Sequence, residues 1–272
     1  HKARFTLIDA DGNEKASAIA DLRPIISAKL PVEDPVLWNG RKNPYLYTVR
    51  CEIFDSTTQE VTDNIDIRTG LREYHIDSHK GFFLNGEHIK LQGVSRHQDR
   101  ENMGNAITEK QHAEDVKIIL DVGANSVRLA HYQQNSYFYD LCDESGLLVW
   151  AEVPVISRFS PKRNENAEQQ LVELIKQNYN HPSIFCWGIE NEITIAGSAS
   201  KKLITFLKHM HKVARHLDPT RYTTCAQLTM CPVNSPLNHI TDIIGYNHYY
   251  GWYMGSCDEI NNWLDEWHRE NP

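Results

Sequence analysis

The segment Ser-Ile-Phe-Cys-Trp-Gly-Ile-Glu-Asn-Glu, residues 183–192, contains the pattern that decides the fold. An apolar run of this length predicts a strand buried on both faces, as strands of parallel sheets are. We assign Ser183–Glu190 as that strand, and the polar residues Asn191 and Glu192 follow it. Similar short runs before and after it are assigned as further strands: Ile89–His97, Ser126–His131, Leu147–Val153, Tyr222–Leu228 and Asp242–Tyr249.

Helical patterns separate these strands. Thr108 and Gln111 form a capping box that opens one helix, and apolar residues recur at helical spacing from Leu203 to Leu217. Alternating strands and helices predict a parallel sheet, either doubly wound or closed into a barrel. A doubly wound nucleotide-binding sheet carries a glycine-rich loop after its first strand, whereas residues 95–100 read Ser-Arg-His-Gln-Asp-Arg. We therefore predict an α/β fold of the (β/α)8 TIM-barrel type.

Polar residues stand at the carboxyl ends of the predicted strands. In a TIM barrel these ends build the active site. Each polar residue alone could be an ordinary structural or loop residue, but their recurrence at successive strand ends favours a functional site. The strand-end residues are Arg96, His97, Arg128, His131, Glu152, Asn191, Glu192, Asn247 and His248.

The residue types at these positions suit chemistry on sugars. Glu190 and Glu192 offer carboxyl groups, and partial burial beside aromatic residues can raise the pKa of such a group so that it acts as a general acid. Tyr246, His248 and Trp252 belong to an aromatic segment that fits the flat apolar faces of sugar rings. The alternatives, solvent-exposed carboxylates and aromatic core packing, remain open at this point.

The first 75 residues show a different pattern. Phe5-Thr-Leu-Ile8 runs into the turn sequence Asp9-Ala-Asp-Gly12, and further apolar runs occur at Ile25–Leu30 and Tyr45–Phe54. Short strands separated by turn residues predict a β-sandwich domain over residues 1–75. The barrel domain then occupies residues 76–272, with six strands where a complete barrel has eight. We expect a barrel truncated at its C-terminal side.

Composition excludes several classes of function. The 28 Lys and Arg against 36 Asp and Glu give a net charge of −8 without a basic run, which argues against nucleic-acid binding. No apolar stretch is long enough to span a membrane, and no signal peptide is visible, so the compartment stays unknown. The six cysteines are expected to be free thiols, because a chain of this size does not need disulfides. The histidines are not spaced as the ligands of a metal ion would be, so we expect no metal site. We also expect no cofactor, and the chain could form a homo-oligomer.

An ordered set of motifs resembles glycoside hydrolase family 2, the β-galactosidase and β-glucuronidase family. The resemblance covers most of the chain and implies an immunoglobulin-like domain before a TIM barrel. The motifs are Asn43-Pro-Tyr-Leu-Tyr47, Gly81-Phe-Phe-Leu-Asn-Gly86, Gly93-Val-Ser-Arg-His97, Asn125-Ser-Val-Arg128 with His131, Asn178–Ile184, and Trp187–Glu192.

The resemblance implies roles for individual residues. Glu192 would be the general acid/base of a retaining mechanism, and Asn191 would bind the sugar 2-hydroxyl. The subsite for the non-reducing sugar would be lined by Arg96, His97, Arg128, His131 and Glu152. Tyr246, His248 and Trp252 resemble the sixth-strand region that flanks the nucleophile.

Two departures from the family pattern qualify this assignment. The nucleophile segment, a Ser/Thr-Glu-Tyr-Gly-like sequence, is absent from these 272 residues. Ile156 and Arg158 stand where larger β-galactosidases have magnesium ligands, so no metal is expected. The resemblance implies a retaining hydrolase of terminal β-D-galactosides. The alternatives are a β-glucuronidase of the same family and a non-catalytic carbohydrate-binding module.

Overall fold

The computed structural model describes residues 1–271, and its first part is all β. The strands of this part are β1 (Lys2–Ile8), β2 (Glu14–Asp21), β3 (Trp38–Asn39), β4 (Asn43–Pro44), β5 (Tyr47–Phe54) and β6 (Val61–Thr69). Four of them form an antiparallel sheet in the order β2-β1-β5-β6, and β3 pairs with β4.

The first hairpin forms where the turn sequence predicts it. The Asp9 carboxylate accepts hydrogen bonds from the backbone N–H groups of Asp11 and Asn13, and Gly12 adopts a φ of +86° that favours glycine. The expectation of a strand at Ile25–Leu30 is wrong. That segment pairs with no strand, and Ile25 is 89% exposed, because an apolar run forms a strand only where a partner strand and a core are available.

A small antiparallel sheet leads into the barrel. It consists of β7 (Tyr74–Asp77), β8 (Gly81–Leu84) and β9 (Glu87–Ile89). The turn Asn85-Gly86 has positive φ at both residues, which folds β9 back onto β8. The predicted strand Ile89–His97 is therefore divided, since Ile89 ends β9 and the first barrel strand begins only at Gly93.

Six parallel strands then form one sheet in chain order. They are β10 (Gly93–Arg96), β11 (Ser126–Leu129), β12 (Leu148–Glu152), β13 (Ile184–Asn191), β14 (Tyr222–Leu228) and β15 (Ile243–Asn247). The helices are α1 (Glu109–Asp121), α2 (Ser136–Ser145), α3 (Asn164–Asn178), α4 (Lys201–Leu217) and α5 (Glu259–Glu270). Strand order without reversal is that of a barrel and not of a doubly wound sheet, so the predicted fold class is confirmed.

The main core lies between this sheet and its helices. α4 buries Leu203, Leu207 and Met210 against it, and the indole of Trp187 donates a hydrogen bond to Asp218 at 3.0 Å. All six cysteines are free thiols, as predicted. Within residues 1–271, each helix is either too short or too polar to cross a lipid bilayer.

Trp38 packs at the contact between the first part of the chain and the barrel. It is fully buried, packs with Phe82 and Leu84, and donates its indole N–H to the carbonyl of Asp143 at 2.9 Å. Arg72 donates to the carbonyl of Ile184 at 2.6 Å. Buried polar contacts of this kind require a fixed arrangement of the two parts.

Candidate active site

A cleft of about 490 Å³ opens at the carboxyl ends of the barrel strands. It contains eight of the residues singled out from the sequence, namely His97, Arg128, His131, Asn191, Glu192, Tyr246, Asn247 and His248, and it is completed by Ser95, Ala130, Ile156 and Tyr249. A larger cavity of about 660 Å³ shares Ser95 and Arg128 with the cleft and extends towards Phe82 and Ile243, and its lining contains no carboxylate. The cleft is therefore the better candidate for chemistry.

Arg128 organises the floor of the cleft. Its Nε donates to Oε1 of Glu152, while its two terminal nitrogens donate to the side-chain oxygens of Asn247 at 2.8 Å and Asn191 at 2.6 Å. The guanidinium also lies 4.5 Å from the ring of Trp150. A planar guanidinium fixed in this way holds the ends of β12, β13 and β15 in one geometry.

Glu152 lies beneath the cleft with both carboxylate oxygens engaged. The residue is 1% exposed, and its Oε2 is 2.6 Å from Nδ1 of His131. Because Nδ1 faces the carboxylate, Nε2 is the His131 nitrogen left for a ligand. Glu152 is thus placed to orient Arg128 and His131 and has no free oxygen for attack on a substrate.

Asn191 and Glu192 project into the cleft at the end of β13. The side-chain N–H₂ of Asn247 donates to Oδ1 of Asn191 and to Oε1 of Glu192, both at 2.9 Å. With Oδ1 of Asn191 already accepting from Asn247 and Arg128, its amide N–H₂ is the group left to bind a ligand. Glu192 has a φ of +48°, an unfavourable conformation for a residue with a side chain and one that occurs at functional sites.

Aromatic side chains form one wall of the cleft. Tyr246 and His248 are stacked with ring centres 5.5 Å apart, and Tyr246 donates its hydroxyl to Asn238 at 2.8 Å. Burial lowers the pKa of His248, which therefore stays neutral at pH 7. Its Nδ1 is 2.8 Å from the Thr229 hydroxyl, and its Nε2 has no partner within the described residues.

Arg96 and Trp252, both expected at the site, lie outside the cleft. Successive residues of a strand face opposite sides of the sheet. Arg96 consequently points at the helix layer, where it is paired with Asp115 at 2.7 Å and lies over the ring of Phe138. Trp252 is 79% exposed, on the loop that follows β15.

Asn247 and Tyr249 line the cleft, although the sequence analysis gave neither a role in binding sugar and named Asn247 only as a strand-end residue. Asn247 stands at a strand end like Asn191, and that pattern was the available signal. Glu190 shows the opposite case, because it belongs to the quoted motif yet does not line the cleft. It is 1% exposed, and burial raises its pKa to about 8.

One group of side chains has the composition of a metal site, at the junction between the two parts of the chain and not in the cleft. Asp140, Asp143 and His181 place possible ligand atoms within 4.8 Å of one another. Asp143 accepts from His181 at 2.6 Å, and Asp140 pairs with Arg68 at 3.0 Å. These pairs give each of the three groups a structural role.

Comparisons with known proteins agree with this architecture. The family model for the TIM-barrel domain of glycosyl hydrolases family 2 matches residues 76–272, and a second model of glycosyl hydrolases family 2 matches residues 1–72. The chain is 40% identical over 252 residues to a beta-glucuronidase of Bacteroides fragilis, covering 89% of this chain and 35% of that protein. It is 32% identical over 222 residues to a beta-galactosidase of Thermoanaerobacter pseudethanolicus, covering 80% of this chain and 29% of that protein.

A solved structure shows the same relation in three dimensions. The crystal structure of an FMN-binding beta-glucuronidase from F. prausnitzii L2-6 superposes with a TM-score of 0.95 at 43% identity, covering all of this chain and 42% of that one. The chain thus spans less than half the length of these proteins. Two family models that together match nearly every residue, on a fold of this similarity, show that the chain belongs to glycoside hydrolase family 2.

Proposed function

We propose that this chain carries the acid/base half of a retaining β-glycosidase, with Glu192 as the proton donor. One observation carries the proposal. Glu192 and Asn191 stand side by side at the mouth of the cleft, joined by the amide of Asn247. The carboxyl group is half-buried and held on one oxygen, so its other oxygen is free to reach a glycosidic bond.

The proposed reaction has two steps. Glu192 gives its proton to the glycosidic oxygen as the bond to the anomeric carbon breaks, and a second carboxylate attacks that carbon from the opposite face. Glu192, now an anion, removes a proton from water while the water oxygen bonds to the anomeric carbon. The bond between that carbon and the second carboxylate breaks, which releases the sugar and restores both carboxyl groups. Retaining enzymes place the two carboxyl groups about 5–5.5 Å apart. Glu152 is unsuited to the second role because both its oxygens are paired, so we propose that the nucleophile lies outside these 272 residues.

The remaining cleft residues would bind the sugar. The N–H₂ of Asn191 and the Nε2 of His131 have no hydrogen-bond partner within residues 1–271, and each can bind a sugar hydroxyl. The stacked rings of Tyr246 and His248 offer an apolar wall for a sugar face. Arg128 and Glu152 act by holding Asn191 and His131 in place.

For the substrate we propose a β-glucuronide, with a β-galactoside as the second candidate. The relatives at 40% and 43% identity are named beta-glucuronidases, whereas three relatives named beta-galactosidases, one of them as putative, are 38%, 35% and 32% identical. The galactoside expected from the sequence motifs therefore remains a substrate to test. We also propose that residues 1–75 and 76–272 are separate domains, the second carrying the catalytic residues.

Initial rates on aryl β-D-glucuronide and aryl β-D-galactoside test the proposal. They are measured with the longest natural protein that contains this chain, called the full-length protein below. Glu192→Gln should lower kcat/KM by about 100-fold or more, because general acid–base catalysis contributes about 10²–10⁴. Glu101→Gln, at an exposed carboxylate, should leave it unchanged.

Each outcome has a distinct meaning. Glucuronide cleavage that collapses in Glu192→Gln supports both the substrate and the role, and galactoside cleavage keeps the mechanism but changes the sugar. Full activity of Glu192→Gln contradicts the assignment. Sugar binding without hydrolysis, unaffected by Glu192→Gln, would indicate a carbohydrate-binding module instead.

A further inference from the structure

Glu190 is a buried acid that the proposed reaction does not use. Its Oε1 accepts a hydrogen bond from the side-chain amide of Gln227 at 3.1 Å, and its Oε2 accepts one from the backbone N–H of Ile193 at 3.2 Å. Within residues 1–271, no Lys, Arg or His nitrogen lies within 4.0 Å of this carboxyl group. Glu190 is therefore surrounded by neutral donors and has no cation to balance a negative charge.

An irregularity in β13 explains why Glu190 faces away from the cleft. Gly188 pairs with Thr224, but the next pair along the ladder is Asn191 with Ala226, so β13 uses one residue more than β14. A β-bulge of this kind redirects the side chains beside it. Asn191 enters the cleft, whereas Glu190 meets Gln227 on β14.

The Glu190 carboxyl also supports the turn that presents Glu192. Glu192 has a φ of +48°, which costs free energy and persists only where the surroundings enforce it. Its own N–H donates to the carbonyl of Ala226 at 2.8 Å, and the N–H of the following residue, Ile193, donates to Glu190. Because Ile193 is 2% exposed, loss of the Glu190 carboxyl leaves a buried N–H without a partner.

We propose that Glu190 is a positioning residue, whose carboxyl group holds the Glu192 turn against β14 and so orients the acid/base carboxyl towards the substrate. This inference rests on the proposed function of Glu192. In this inference Glu190 does not contact substrate. Its role is to fix the position of Glu192, two residues later in the chain.

The surroundings favour the uncharged form. Burial is the main cause that raises the pKa of Glu190, to about 8, and nearby Glu152 acts in the same direction. The hydrogen bonds from the backbone N–H of Ile193 and from the Cys225 thiol lower the pKa of Glu190, and Arg128 lowers it less, but burial outweighs all three. The thiols of Cys225 and Cys231 near it are neutral at pH 7. Oε1 of Gln227 is buried without a partner among the described residues. If the Gln227 amide is rotated by 180°, this oxygen faces Glu190, and only a protonated Glu190 carries an O–H that can donate a hydrogen bond to it.

Two variants of the full-length protein test the proposal. Glu190→Gln keeps the shape and the neutral charge, so kcat at pH 6.5 should stay within about twofold of wild type. Glu190→Leu removes the acceptor for Ile193, so kcat should fall at least about tenfold with KM within twofold, since the residues that bind sugar are untouched. Between pH 7.5 and 9, kcat should fall further in wild type than in Glu190→Gln, because wild type loses the proton of Glu190 in addition to that of the general acid Glu192.

Amide hydrogen exchange over residues 193–195 gives a readout that does not depend on activity. Exchange should be at least about tenfold faster in Glu190→Leu than in wild type, and unchanged in Glu190→Gln. Wild-type kcat in Glu190→Leu, an unchanged alkaline limb in Glu190→Gln or equal exchange in all three proteins would each overturn the inference. If the wild type cleaves neither glycoside, the exchange result still decides whether Glu190 holds the turn, so the two failures are distinguishable.

Discussion

Arg128 is the residue on which the geometry of the cleft depends. It joins Glu152, Asn191 and Asn247, which stand on three different strands, and it does so from a side chain that is 15% exposed. A buried ion pair contributes little net stability compared with apolar packing, but removing one partner leaves an uncompensated charge. The pair between Arg128 and Glu152 is therefore best understood as a device for orientation.

Glu152→Gln should lower the free energy of unfolding by about 3 kcal/mol or more, because Arg128 then stays buried without its anion. Asp66→Asn is the matched control. It removes the partner of Arg50 in a pair whose side chains are 45% and 43% exposed, and it should leave the free energy of unfolding almost unchanged. Urea unfolding of the full-length protein measures both, and equal effects would contradict the argument.

Glu190 should make stability depend on pH. Its pKa is about 8 in the folded protein against an ordinary value of 4.5. Between these values the unfolded chain has lost the proton that the folded protein keeps, so stability falls as pH rises from about 4.5 to about 8. The free energy of unfolding should drop by a few kcal/mol more between pH 5 and pH 8 in wild type than in Glu190→Gln. Identical drops would show that Glu190 is ionised in the folded protein.

At the scale of elements, a glycine in β13, Gly188, allows the side chains of β12 to approach closely. A Cβ at Gly188 would lie 2.5 Å from Nε1 of Trp150 and 2.6 Å from Cγ of Glu152, closer than real Cβ atoms approach their neighbours. The close approach lets Trp150 and Glu152 fill the interior beside β13. Gly188 is thus required for packing, although its sequence context is an ordinary apolar strand.

Gly188→Ala should destabilise the protein by about 1–3 kcal/mol and lower kcat/KM, because the added methyl group displaces Glu152 and with it His131. Gly197→Ala serves as the control, since a Cβ there meets nothing within 4 Å and the backbone conformation is ordinary. Thermal unfolding and initial rates compare the two. A normal kcat/KM in Gly188→Ala would show that β12 can shift without disturbing the cleft.

At the scale of the whole molecule, Trp38 links the first part of the chain to the barrel. Trp38→Ala should lower the free energy of unfolding by about 3–5 kcal/mol, because it empties a buried site and removes the hydrogen bond to Asp143. Trp252→Ala, at an exposed tryptophan, should leave stability unchanged. The sequence predicts that Trp252 contacts substrate, and the KM of the Trp252→Ala variant for an aryl glycoside tests that prediction.

Local sequence was sufficient for the order of elements and for most of the cleft. Apolar runs that alternate with helical patterns are visible as short-range periodicity in the sequence, and they predict a parallel sheet. The polar residues that follow the strands predict Arg128, His131, Asn191 and Glu192 at one edge of that sheet.

The directions of individual side chains were decided by tertiary structure. Arg96 faces the helix layer because β10 is placed in the sheet with Ser95 and His97 on the cleft side, and Asp115 on α1 pairs with it there. The run that includes Ile89 is divided because its start pairs with β8. Glu190 and Glu192 are equivalent carboxylates in the sequence, yet a one-residue bulge against β14 buries the first and exposes the second to the cleft. Such a bulge depends on how β13 pairs with β14, and the contact between Glu190 and Gln227 joins residues 37 positions apart. Short-range periodicity carries no information on pairing over that distance.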